Sequence, residues 1–186
     1  MPRELSVADL RALPQPGQTV FVGGGIAEPA AIVDAWREAG SLAGVTLIGL
    51  QLPGLNRLAP QELGAGCRYR TAFLTPELAA SLATGQVELL PMHYSDFHRH
   101  LRERAPIDLA VFQVAPPDPG GHCSLGPCAD HVPAVLARDG LPLVAQINPR
   151  MPAARDAPSV HVERLWGIHR ADRALPELAV ERRAGD

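Results

Sequence analysis

The chain has no lysine: all 17 of its basic residues are arginine. That excludes Schiff-base chemistry, which needs a lysine amine. Aromatic residues make up only 4% and the net charge is −3, so nothing favours a nucleic-acid partner. Cys67, Cys123 and Cys128 are too few, and odd in number, for a disulfide framework. No apolar run approaches the ~20 residues that span a bilayer. The first residues lack the order of a signal peptide, so the expectation is a cytoplasmic protein away from membranes. No Gly-x-Ser-x-Gly elbow occurs, which removes the common serine-hydrolase reading.

What remains is a chain of 186 residues, 46% hydrophobic and 20% charged, ample for one globular core. Thr19–Val22, Val45–Leu50, Arg68–Phe73, Val87–Leu90, Ile107–Phe112, Leu143–Asn148 and Ser159–Val162 read as strands. Helical patterns fall between them. Ser6 caps a short first turn carrying Val7, Leu10 and Leu13. A helix runs from Pro29 to Ala39 and stops at Gly40. Thr75 caps another, with Leu78 and Leu82 facing inward. Others cover 93–104, with Phe97 and Leu101 inward, and 133–138. Strands alternating with helices predict an α/β fold: a mainly parallel open sheet with helices on both faces.

Two stretches carry candidate chemistry. Gly23-Gly24-Gly25 joins a strand to a helix, where free N–H groups and the positive helix end make an anion site. A tight structural turn explains the same residues equally well. Glu28 beside it opposes a phosphate and suits the helix dipole. The second stretch is Gln113-Val-Ala-Pro-Pro-Asp-Pro-Gly-Gly-His-Cys-Ser124-Leu-Gly126, a loop leaving a strand buried on both faces. Within it and just beyond, His122, Cys123, Cys128, Asp130 and His131 are zinc-type ligands, but the spacing of paired ligands is absent. Cys123 or Cys128 beside a histidine is a nucleophile without a surrounding signature. His93, His98 and His100 read as surface residues, and Arg99, Arg102 and Arg104 as a solvated basic face.

A strand ending in Gln-Val-x-Pro-Pro-Asp, then Gly-x-x-Ser-Leu-Gly, resembles the acetyl-CoA hydrolase / 4-hydroxybutyrate CoA-transferase branch of the family I coenzyme A-transferases. The resemblance runs from about Thr19 to Leu178, through Val20–Gly25 with Ala27-Glu28-Pro29, Arg70–Leu74, Leu90–Ser95, Asp108–Gly126, Gln146–Pro152 and Val160-His161-Val162. It implies a NagB/RpiA/CoA-transferase-like domain over 1–178, with 179–186 as a frayed tail or linker. It also implies the amino-terminal half only. In that family a glutamate of the second domain attacks the acyl-CoA thioester, and most CoA contacts lie there too. None of the glutamates here falls in that motif, so this chain supplies no catalytic residue, no metal site and no cofactor beyond coenzyme A as substrate. The partners implied are an acyl-CoA, a short-chain carboxylate and a second chain carrying the catalytic domain. Gly24 and Gly25 are placed for backbone approach, and Gln113, Ser124 and Asn148 for polar contacts with substrate. Arg155-Asp156-Ala157-Pro158, Trp166 and Arg170 depart from the family pattern. They favour the alternative of a non-catalytic domain that binds an acyl-CoA or a protein.

Overall fold

A computed structural model describes residues 1–56, 58–154 and 156–177. Arg155 and the expected tail at 179–186 lie outside these. The strands are β1 (Arg3–Glu4), β2 (Thr19–Val22), β3 (Thr46–Gly49), β4 (Arg68–Thr71), β5 (Val87–Leu89), β6 (Leu109–Val114), β7 (His122–Ser124), β8 (Leu143–Ile147), β9 (Ser159–His161) and β10 (Gly167–Arg170). The helices are α1 (Val7–Arg11), α2 (Ala30–Ala39), α3 (Ala79–Ala83), α4 (Tyr94–Glu103) and α5 (Val132–Leu136). No helix among the described residues is long and apolar enough to cross a membrane.

Eight strands form one sheet in the order β1-β10-β8-β6-β2-β3-β4-β5, and every neighbouring pair is parallel. Successive residues of a strand point to opposite faces, and the apolar residues divide accordingly. Val20, Val22, Leu47, Val111 and Val144 pack with Leu10, Ile32, Val33 and Trp36, beneath α1 and α2. Phe21, Ile48, Phe112, Ala145 and Ile147 pack with Phe97, Leu101, Val132 and Val135, beneath α4 and α5. Each fully buried side chain of this size stabilises the fold by roughly 1.5–3 kcal/mol. With both faces covered, β6 is buried along its whole length, which is why it reads as an unbroken apolar run.

Several local expectations hold for the expected reason. Ser6 and Asp9 form a reciprocal capping box at α1. Gly40 ends α2 in the left-handed region at φ +56°. Others are corrected. Thr75 makes no side-chain cap; a 3₁₀ turn, Pro76–Leu78, leads into α3 instead. That turn rotates the helix so that Ser81 is buried and Leu82 exposed. The stretch 113–126 is not one loop, because β7 lies within it and pairs antiparallel with β9 as a small separate flap. Ser159–His161 is therefore not the last strand of the main sheet. That place belongs to β10, which carries β1 on its outer edge.

Candidate active site at the switch point

The chain leaves β2 for β3, β4 and β5 on one side, then returns to lay β6, β8 and β10 on the other. The strand order reverses between β2 and β6, and in open parallel sheets the crevice beyond such a point is where ligands bind. Gly23–Glu28 after β2, Leu50–Asn56 after β3 and the end of β6 converge there.

The glycine turn is held entirely by the protein. Gly23 N–H donates to Val111 O (2.9 Å), Gly24 N–H to Asp130 Oδ2 (3.3 Å) and Gly25 N–H to Asn56 Oδ1 (2.8 Å). Asn56 Oδ1 also accepts from Leu52 N–H (2.9 Å), and its Nδ2 donates to Gly25 O (2.9 Å). Asp130 is itself fixed by Tyr94, whose hydroxyl donates to Oδ1 (3.2 Å). Glycine is required because a Cβ at Gly24 would lie 1.9 Å from Leu50 O. The turn is therefore the tight structural one, and its amides are not left open for an anion. A 3₁₀ turn, Gly25–Ala27, and Pro29 separate it from α2, so no row of free helix-terminal N–H groups faces the crevice.

Gln113 and Asn148 are brought together, both almost fully buried. Gln113 Oε1 accepts from Gln146 Nε2 (2.6 Å) and Asn148 Nδ2 (2.9 Å), and Gln113 Nε2 donates to Ile26 O (2.8 Å). Gln146 Oε1 accepts from Ala31 N–H at the start of α2 (2.8 Å). Asn148 continues the network to the backbone of Arg150 and Arg173. Three amide side chains thus pin the glycine turn, α2 and the segment after β10 to the ends of β6 and β8. Ser124 stands apart: its Oγ accepts from Gly126 N–H (3.1 Å) within the flap. Sequence reasoning missed Gln146. The signal was a second glutamine inside a buried apolar strand, in register with Gln113.

Glu28 occupies a different place from the one its sequence position suggests. It makes no cap on α2. It lines a cleft of about 240 Å³ at the switch point, together with Val33, Asp34, Arg37, Leu55, Gln113 and Ala174. Burial pushes its carboxyl up from 4.5 to about 7; a hydrogen bond from Asn56 and the charge of Arg37 pull it down, and Asp34 raises it. Asp34 is held by Arg37 at 2.8 Å and by Arg173. Glu28 is thus a carboxyl group on the wall of a cleft, and burial raises its hold on the proton.

A second, apolar cavity of about 360 Å³ opens beyond β3 and β4, between Leu50, Leu52, Pro53, Phe73, Leu74 and Tyr94. Phe73, Leu74 and Tyr94 are each more than two-fifths exposed. Cys123 is wholly buried, and burial raises its thiol away from the reactive thiolate. His122 lies against His161 on the flap, while His131 is buried against Tyr94 and Phe97. Among the described residues no three His, Cys, Asp or Glu side chains converge as metal ligands.

Residues 5–173 match the acetyl-CoA hydrolase/transferase N-terminal domain. The chain belongs to that family. It is 28% identical over 167 residues to a succinyl-CoA:acetate/propanoyl-CoA:succinate CoA transferase of Fasciola hepatica, covering 88% of this chain and 34% of that protein. A 4-hydroxybutyrate coenzyme A transferase of Clostridium kluyveri is 23% identical over 82% of this chain and 36% of its own. Among solved structures, RipA from Yersinia pestis superposes with a TM-score of 0.82 at 20% identity, over 98% of this chain and 45% of RipA. The chain therefore spans about a third of the length of these curated relatives. Of the departures from the family pattern, Trp166 is exposed just before β10, and Arg170 at its far end approaches Glu4 at 3.5 Å.

Proposed function

We propose that this domain is one half of a CoA-transferase or acyl-CoA hydrolase, working in the cytoplasm on short-chain acids. A second chain supplies the other half and the glutamate that accepts the acyl group and then CoA. The observation that carries this is the family match over 5–173, set beside relatives of which the chain covers only about a third. The exposed apolar rim at Phe73, Leu74 and Tyr94 supports a docking partner at the carboxyl edge of the sheet. In this assembly the domain walls the cleft and excludes water, while the partner's carboxylate performs the covalent steps.

Intact-mass analysis of the assembly after incubation with an acyl-CoA tests the division of labour. Covalent CoA on a glutamate of the partner, with none on this chain, is expected. Attachment to this chain would sink the half-enzyme reading. One observation favours the alternative of a non-catalytic binding domain: the glycine turn, Gln113 and Asn148 all direct their hydrogen bonds inward. A chain that binds acyl-CoA unaided and never supports turnover with any partner would establish that alternative.

A further inference from the structure

The apolar cavity of about 360 Å³ beyond β3 and β4 holds two polar groups that the protein leaves unsatisfied. Gln51 and Thr75 line it beside Leu50, Leu52, Phe73 and Tyr94, and they are only 3% and 2% exposed. Gln51 Nε2 donates to Leu58 O at 2.7 Å, which fixes the amide so that Oε1 is the atom left over. Oε1 has no partner, and neither has Thr75 Oγ1. The phenol of Tyr69 also faces Gln51, yet leaves Oε1 without a hydrogen bond. The Tyr94 hydroxyl is already committed to Asp130. Unpartnered buried polar atoms are costly and uncommon, so two of them on the wall of one cavity point to a ligand that supplies the missing bonds. Among the described residues no basic side chain lines this cavity, so a carboxylate lodged there would stay uncompensated. We propose that Gln51 and Thr75 set the substrate class: the cavity takes an acyl group whose uncharged tail carries a hydroxyl, and rejects a dicarboxylic one.

The two unpartnered atoms differ in what they need. An amide oxygen only accepts, so the ligand must bring a donor to Gln51. A threonine hydroxyl both donates and accepts. A hydroxyl on the acyl chain meets both demands, donating to Gln51 Oε1 and accepting from Thr75. A plain alkyl tail leaves both atoms unpaired. A carboxylate tail has no proton to give Gln51 and sets its charge against an acceptor oxygen. The methylenes of the chain pack on Leu50, Leu52 and Phe73. A partner docked on the rim at Phe73, Leu74 and Tyr94 closes the cavity and removes water as a substitute, which sharpens the discrimination. The inference rests on the reading of this chain as half of a CoA enzyme.

The test compares kcat/KM of the assembled enzyme for butanoyl-, 3-hydroxybutanoyl-, 4-hydroxybutanoyl- and succinyl-CoA. The better of the two hydroxyacyl esters is expected to exceed butanoyl-CoA by at least about tenfold and succinyl-CoA by about a hundredfold. Thr75→Val removes the hydroxyl and keeps the shape, and the preference over butanoyl-CoA is expected to fall about fivefold. Equal values for butanoyl-CoA and both hydroxyacyl esters, a preference for succinyl-CoA, or a preference untouched in Thr75→Val overturns the roles of Gln51 and Thr75 while leaving the CoA-enzyme reading intact. A second measurement needs no variant and no partner: NMR of the full chain with N-acetylcysteamine thioesters of the same four acids. Shifts of the Gln51 side-chain amide and the Thr75 methyl with a hydroxyacyl thioester, and none with the succinyl one, are expected. Their absence overturns the site by itself. An assembly inert with all four esters sinks the half-enzyme reading, and the NMR shifts then decide the cavity alone.

Discussion

Replacing Glu28 by glutamine is expected to change the dependence of stability on pH rather than stability at every pH. The folded state holds the Glu28 proton up to about pH 7, against an ordinary value of 4.5. The native state therefore binds the proton more tightly than the unfolded chain does. The favourable contribution of this group is fully present below pH 4.5 and is lost as pH rises through 7. A tenfold difference in proton affinity between the two states is worth about 1.4 kcal/mol, so the interval from 4.5 to about 7 amounts to roughly 3 kcal/mol. Glutamine has the same shape and carries no charge to desolvate. Urea unfolding of both proteins at pH 5, 6, 7 and 8 measures the effect. The difference in stability should move toward the variant by about 2–3 kcal/mol between pH 5 and pH 8. A difference that stays constant over that range would refute the reasoning, because Glu28 would then be an ordinary solvated carboxylate.

Asn56→Ala leaves Gly25 N–H, Leu52 N–H and Gly25 O without partners in a buried turn, and should cost about 3 kcal/mol by urea unfolding. Thr75→Val should leave stability unchanged or raise it by up to about 1 kcal/mol, since the buried Thr75 hydroxyl has no partner to lose; calorimetry decides the sign. Gly24→Ala should prevent accumulation of folded protein, because its Cβ would overlap Leu50 O at 1.9 Å, and circular dichroism of the recovered chain reports this.

The strands that were legible in the sequence are those buried on both faces. Phe21, Ile48, Phe112 and Ala145 lie under one layer of helices, and Val20, Leu47, Val111 and Val144 under the other, so apolar runs replace alternation. The strands β1 and β10, at one end of the sheet, carry Arg3, Glu4, His169 and Arg170, and have no run to read. They exist because β8 offers a free edge, a tertiary cause that local pattern does not encode. The same division holds at the crevice. Strand ends located Gln113 and Asn148, and the glycines located the turn. That these groups bond to one another, through Gln146 and Asn56, depends on residues up to 115 positions apart in sequence. Glu28 was visible as an acid before a helix. Its unusual proton affinity comes from burial in the cleft between α2, β6 and the segment after β10, which forms only on folding.

The central claim is that this domain becomes a CoA enzyme only when joined to a second chain. Native affinity isolation of the tagged protein from its own cells, followed by assay of CoA movement between short-chain acids, tests it most directly. The account predicts a co-purifying chain that matches the remainder of the CoA-transferase relatives, an active assembly, and an inert isolated chain. Turnover by the isolated chain, or a protein recovered alone and inert, would contradict it.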